Sequence, residues 1–164
     1  MIMIYPKMFT LMISMCLILG VISTAIAEDK RDPIQKESIP FGSAMGIKVA
    51  FSNAMAIDLS KAKKMIWISG QIAYDENDKF VKGDIRVQTE QCLKNIQSNL
   101  KKLGASMEDV VQVFVFVKDM TGLKDIHNIR LKYFKEPYPT STLVRVTDFV
   151  EPDALIEITA VAVY

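Results

Sequence analysis

The chain has 164 residues, of which 50% are hydrophobic and 24% are charged, a composition typical of one folded globular domain. Cleavage after residue 27 would remove Lys7 as its single charged residue and leave 19 basic and 19 acidic residues. This neutral balance argues against a nucleic acid or an anionic membrane surface as the partner. One histidine and two cysteines cannot build a zinc site of the usual kind, so we expect no metal and no cofactor.

Residues 1–27 have the pattern of a secretory signal peptide. Lys7 precedes an uncharged apolar run at 8–27 that ends in Ala25-Ile26-Ala27, a small-residue cleavage pattern. The expected location is therefore periplasmic or secreted. The run is also long enough to span a bilayer, so the alternative is an uncleaved anchor, the one route by which we expect membrane contact. Residues 28–46 mix charges with proline and glycine and predict a flexible leader to a domain at 47–164.

The domain shows strand and helix patterns in the order β-β-α-β-α-β-β. The clearest helix begins after the capping residue Asp84 and ends before Gly104, and a second helix must end before Pro137. Apolar or alternating runs predict strands at 47–57, 63–74, 110–117, 141–146 and 154–164. This order favours an α+β fold with two helices packed on one face of a sheet.

The second face of that sheet is also apolar. The strand Val110–Val117 alternates valine with phenylalanine, so both of its faces are hydrophobic and it belongs at the centre of the sheet. Residues 65–68 form a further apolar run that predicts a buried strand, with Trp67 in the core. Helices on one side alone would leave a hydrophobic face exposed, and association into a closed oligomer would cover it.

Three segments together resemble the reactive-intermediate deaminase (Rid) family, also called YjgF-like. They are "FSNA" with "WISGQI", then "GDIRVQTEQCLKNIQSNLKKLGASMEDVVQVFVFVKDM", then "ALIEITAVAV", and the resemblance covers 47–164. It implies a chorismate-mutase-like fold and a homotrimer whose sheets form an inner barrel, with clefts between subunits. In deaminase members such a cleft hydrolyses 2-imino or enamine acids to 2-oxo acids and ammonia, and an arginine in a P-A-R-S-x-V-E-V strand clamps the substrate carboxylate.

This chain departs from the family pattern at that strand. Its "PTSTLVRV" has Ser141 where the family arginine stands, and Arg145 where the family usually has an acid. A planar guanidinium makes two parallel hydrogen bonds to a carboxylate, and a serine hydroxyl offers one donor without charge. Arg145 shares a face with Ser141 but lies about 13 Å further along the strand. Arg145 is therefore either an anion-binding residue of altered geometry or a member of an ion pair at an interface.

Glu157 matches the family glutamate that is thought to hold or activate the hydrolytic water. It alternates onto the same face as Leu155 and Thr159, where a carboxylate needs a hydrogen-bonding or ionic partner. General acid or base catalysis is the functional interpretation. A structural ion pair across the trimer, with Arg145 as a possible partner, is the alternative.

Four other positions are candidate ligand contacts. Ser69 and Gly70 match the family's S-G turn, where backbone groups face the ligand, although a plain strand-ending turn also explains them. Phe51 stands where deaminase members usually have a tyrosine, so its ring can line the cleft but offers no hydroxyl for a hydrogen bond. His127 lies near a frequent family asparagine, and a lone helix histidine can also be a polar cap over the core edge.

These observations favour an exported, trimeric member of the family that binds a small organic ligand and lacks arginine-dependent imine hydrolysis. The first alternative is a true 2-iminobutanoate or 2-iminopropanoate deaminase that uses Glu157 and Arg145. A ribonuclease or translation inhibitor is a second alternative, disfavoured by the neutral charge and by the absence of a pair of catalytic histidines. A scaffold or holdase is the third.

Overall fold

The computed structural model describes residues 34–42 and 46–164. The predicted signal segment and the first part of the predicted leader lie outside these residues. Among the residues described, no helix combines the length and the apolar character that a membrane crossing requires.

Six strands form one mixed sheet with the order β1-β2-β5-β4-β6-β3. The pairs β1/β2, β4/β6 and β3/β6 are antiparallel, and the pairs β2/β5 and β4/β5 are parallel. The bounds are β1 Lys36–Pro40, β2 Ser52–Ile57, β3 Met65–Gln71, β4 Val110–Val117, β5 Thr140–Arg145 and β6 Ile156–Val163. The five strands expected from the sequence are all present, and β4 has the bounds that its apolar run predicts.

The edge strand β1 was not expected. The segment 28–46 was assigned to a flexible leader, but Lys36–Pro40 instead pairs antiparallel with β2. The Lys36 ammonium donates to the carbonyl of Val110 at 3.1 Å and also to that of Glu108. Strand β1 lacks the apolar alternation by which sequence analysis detects strands, and it is held instead by backbone pairing and by this lysine.

Helix α1, Ile85–Lys102, has the capping signals that the sequence predicts. The Asp84 carboxylate accepts hydrogen bonds from the backbone N–H groups of Arg86 and Val87 at 2.9 and 3.1 Å. At the other end Gly104 has a φ of +81°, the left-handed conformation that glycine adopts after a helix. Helix α2, Leu123–Tyr133, ends four residues before Pro137.

The core lies between the two helices and one face of the sheet. It joins Leu93, Ile96 and Leu100 of α1 and Ile126 of α2 to the buried residues of the strands. In β4 these are Val113, Val115 and Val117, and in β6 they are Ile156, Ile158, Ala160 and Ala162. The arrangement of two helices on one face is therefore confirmed.

The other face of the sheet is apolar and open. Trp67 is 69% exposed, and Met65 and Val144 are also exposed. The prediction that Trp67 lies in the core was wrong. Residues 65–68 alternate with the strand period, so Ile66 and Ile68 enter the core while Trp67 points to the opposite face.

Candidate functional site

Glu157 and Gly70 are brought together on the neighbouring strands β6 and β3. The register of this pair shifts between Ile68 and Gln71, so Ser69 and Gly70 lie in an irregular stretch of β3. A methyl group at Gly70 would overlap the Glu157 carboxyl group and lie 2.6 Å from its Cδ atom. Glycine is therefore required here for the close approach of a carboxylate to the backbone. Ser69, next to it, is exposed.

Cys92 lies in the core near this carboxylate. Burial raises the pKa of its thiol, and the negative charge of Glu157 raises it further. The sulfur contacts the carbonyl oxygen of Ile156 at 3.8 Å. A protonated, fully buried thiol is a packing group and not a nucleophile.

Phe51 and His127 meet near β2, toward the edge of the sheet opposite β3. Their ring centroids are 5.8 Å apart, and Phe41 packs on Phe51 with centroids 4.6 Å apart. Phe51 also lines a cavity of about 830 Å³, together with apolar residues that include Pro137 and Tyr138. This size suits a small organic ligand.

His127 and Arg130 are both buried, and both bond to the backbone of Ala50. The N–H of Ala50 donates to Nδ1 of His127 at 3.5 Å, and Nη2 of Arg130 donates to the carbonyl of Ala50 at 3.1 Å. Burial, and then the positive charge of Arg130, lower the pKa of His127 to about 4. His127 is therefore neutral at physiological pH, and its Nδ1 is available as the acceptor.

Arg130 was missed by the sequence analysis, yet among the described residues it is the largest fully buried side chain and is 1% exposed. Its guanidinium lies 5.8 Å from the centroid of the Phe134 ring, and burial lowers its pKa to about 10. Its Nε and Nη1 atoms are buried without a hydrogen-bond partner. The signal was present in the sequence, because a charged residue four positions after Ile126 and four before Phe134 falls on the apolar stripe of α2.

Ser141 lies on β5 in register with the core residue Val113. Because registered residues of neighbouring strands share a face, its side chain points toward the helix layer. Its hydroxyl oxygen is buried and has no hydrogen-bond partner. The residue at the family's arginine position thus has an unused hydrogen-bonding group.

Arg145 lies at the far end of β5, in register with Val117, and is exposed. The pKa of Asp119 is lowered first by hydrogen bonds from Thr121 and further by the charge of Arg145. Arg145 does not line the cavity at Phe51. In the single chain it is a surface residue beside an acidic neighbour.

The seven predicted site residues therefore form two groups with an outlier. Glu157, Gly70 and Ser69 lie on β6 and β3. Phe51, just before β2, contacts His127 of α2, and Ser141 lies on β5 beside the start of β2. Strand spacing and register separate Glu157 from Ser141 by roughly 14 Å. Arg145 belongs to neither group. No cluster of histidine, cysteine and acidic side chains suited to a metal ion occurs within the described ranges.

A family model described as endoribonuclease L-PSP matches residues 42–164. The chain belongs to this family, the Rid or YjgF-like family of the sequence resemblance. One similar Rid-family protein is a "RutC family protein" of Sulfurisphaera tokodaii, 41% identical over 102 residues, or 62% of this chain and 81% of the relative. Another is the 3-aminoacrylate deaminase RutC of Acinetobacter baylyi, 36% identical over 65% of this chain and 84% of the relative.

Two further Rid-family comparisons extend over more of this chain. Reactive Intermediate Deaminase A from the chloroplast of Arabidopsis thaliana is 30% identical over 142 residues, covering 86% of this chain and 70% of the relative. The crystal structure of the Rid protein YyfB from Yersinia pestis has a TM-score of 0.69 and 26% identity, covering 80% of this chain and all of that one. The predicted α+β, chorismate-mutase-like fold is thereby confirmed.

Proposed function

We propose that this chain is an exported, homotrimeric Rid-family protein that binds a small organic carboxylate or carbonyl ligand in clefts between subunits. It lacks the imine hydrolysis that depends on an arginine at position 141. The observation that supports this most is the contrast between the two groups of site residues. The carboxylate of Glu157 lies over Gly70, whereas position 141 holds a buried serine hydroxyl without a partner.

Arg145 is a poor replacement for the arginine at position 141. It is exposed at the opposite end of β5, beside Asp119. The charge of a surface guanidinium next to a carboxylate is already partly offset, and the group remains solvated, so it binds a ligand anion weakly.

The open sheet face and the separation of the two groups support the assembly. The exposed Trp67, Met65 and Val144 form an apolar surface that a second copy would cover. A cleft between copies would also allow Glu157 of one subunit to approach Phe51 and Ser141 of another. Export is supported by the uncharged run 8–27 and its small-residue end.

The test is the release of ammonia from freshly generated 2-iminobutanoate by the purified protein. We expect no acceleration over buffer, while 2-oxobutanoate binds measurably by calorimetry. The matched control is Ser141→Arg, which restores the family residue at this position and should raise the rate if the rest of the cleft is intact. Turnover by the unaltered protein that disappears in Glu157→Gln would contradict the proposal.

An imine or enamine deaminase is the second candidate, because two similar proteins bear deaminase names. In that case Glu157 would act on the hydrolytic water, and Arg145 of a neighbouring subunit would hold the substrate anion. Replacement of Arg145 by glutamine separates the two functions. Loss of both turnover and binding in Arg145→Gln would favour the deaminase.

A further inference from the structure

We propose that Arg130 and Ser141 form the anion-binding end of the cavity beside Phe51, with Nε and Nη1 of the guanidinium and the serine hydroxyl donating to the carboxylate of the bound acid. This inference rests on the proposed ligand-binding function. It assigns the charged donor of the anion contact to helix α2, whereas the family pattern has an arginine on β5.

The first observation is the chemistry of the unsatisfied groups. Within residues 34–42 and 46–164, three buried side-chain atoms lack a hydrogen-bond partner, and all three belong to Arg130 and Ser141. Each of the three can donate a hydrogen bond. A carboxylate has two oxygen atoms that together accept about four hydrogen bonds, so one carboxylate can satisfy all three donors.

The second observation is the position of Arg130 and Ser141 relative to the cavity. Nη2 of Arg130 is bonded to the carbonyl of Ala50, and two residues further along Ser52 is in register with Thr140. Ser141 follows Thr140 and faces the helix layer, so its Cα lies roughly 10 Å from that of Ala50. The flanking residues Val49 and Phe51 both line the cavity. Ala50, which Arg130 holds, thus lies between two residues of the cavity wall, and this one residue separates the guanidinium from the cavity.

The third observation is that the hydrogen bond to the Ala50 carbonyl does not require the positive charge of Arg130. A neutral amide donor could hold the Ala50 carbonyl without burying a cation, and buried charges without a partner are strongly destabilising. In the described residues no acidic side chain pairs with Arg130: the described salt bridges involve other residues. An anion bound from the cavity would supply the acceptors that Nε and Nη1 of Arg130 lack.

The segment Val49–Phe51 lies between the guanidinium and the cavity, because Ala50 bonds to Arg130 while Val49 and Phe51 line the cavity. Its attachment to α2 includes the Ala50 bond to His127, which at 3.5 Å is at the outer limit of a hydrogen bond. A ligand carboxylate would reach Nε and Nη1 past this segment, while Nη2 keeps its hydrogen bond to the Ala50 carbonyl. We therefore expect binding to change the environment of the Ala50 amide as well.

The test compares 2-oxobutanoate with its uncharged amide by calorimetry on the full-length protein. We expect the acid to bind at least about tenfold more tightly than the amide, as a charge-assisted pair provides. Arg130→Met should abolish this preference, Arg130→Lys should retain part of it, and Ser141→Ala should weaken acid binding about two- to fivefold. Arg86→Gln is the matched control, which removes an exposed arginine at the start of α1 and should leave the preference unchanged.

A second measurement does not depend on the folding of a variant. The ¹⁵Nε resonance of Arg130 in the unaltered protein should shift on addition of the acid and not of the amide. An unshifted resonance in the presence of bound acid, or a folded Arg130→Met protein that still prefers the acid, overturns the inference and leaves the ligand-binding function standing. Binding of neither compound by the unaltered protein overturns both.

Discussion

His127 makes the stability of this protein depend on pH, and the structure predicts the direction of the change and its approximate size. It is 3% exposed and accepts a hydrogen bond from Ala50 through Nδ1, and burial and then Arg130 lower its pKa to about 4. An unfolded chain has a histidine pKa of about 6.5. The folded protein therefore binds fewer protons than the unfolded protein at any pH between these two values.

The sign follows from this difference in proton binding. The stabilising contribution of the neutral imidazole is fully present above pH 6.5 and is lost as the pH falls toward 4. With these two pKa values, the free energy of unfolding should fall by about 2 kcal/mol between pH 7.5 and pH 5. The chain contains one histidine, so no second imidazole contributes. The pKa values of Asp84 and Asp153 are lowered by bonds with Arg86 and Lys82, so these groups titrate below this window.

The assay is urea unfolding at several pH values, at one protein concentration because assembly also affects stability. The matched variant is His127→Gln, whose amide oxygen can still accept from the Ala50 N–H but does not titrate. We expect the variant to lose most of the pH dependence between 7.5 and 5. A flat profile for the unaltered protein, or an equal slope in the variant, would refute the assignment of a buried neutral histidine.

Three further predictions follow from particular contacts. Gly70→Ala should displace the Glu157 carboxylate and weaken ligand binding as much as Glu157→Gln does, with no additional loss in the double variant; additive losses would contradict the contact. Trp67→Lys should shift the protein toward monomer in light scattering, whereas Leu59→Lys, at a similarly exposed apolar position in a short 3-10 helix, should not; a trimer that tolerates Trp67→Lys would exclude this face as the interface. Asp84→Ala should lower the free energy of unfolding by about 1 kcal/mol through loss of the α1 cap, and a change below about 0.3 kcal/mol would mean that the cap is dispensable.

The sequence pattern predicts on which strand or turn a candidate site residue lies, but not which of these residues touch each other. Ser69 and Gly70 follow an apolar strand and Glu157 alternates along another, but their contact depends on the pairing of β3 with β6. Arg130 was overlooked because the burial of a charged residue depends on which helix face meets the sheet. The strand period places Arg145 on the same face as Ser141 and about 13 Å along the strand, and the register of β5 with β4 agrees. Only the tertiary structure shows that Arg145 is exposed while the Ser141 hydroxyl is buried.

The sequence by itself determined the local elements, because capping, periodicity and glycine placement act over a few residues: the bounds of β4, the Asp84 cap and the left-handed Gly104 follow from it directly. Only the tertiary structure decided that β1 extends the sheet, that Trp67 faces outward and that Arg130 lies unpaired behind Ala50. Each of these depends on contacts between segments far apart in the chain. No pattern within a single segment contains that information.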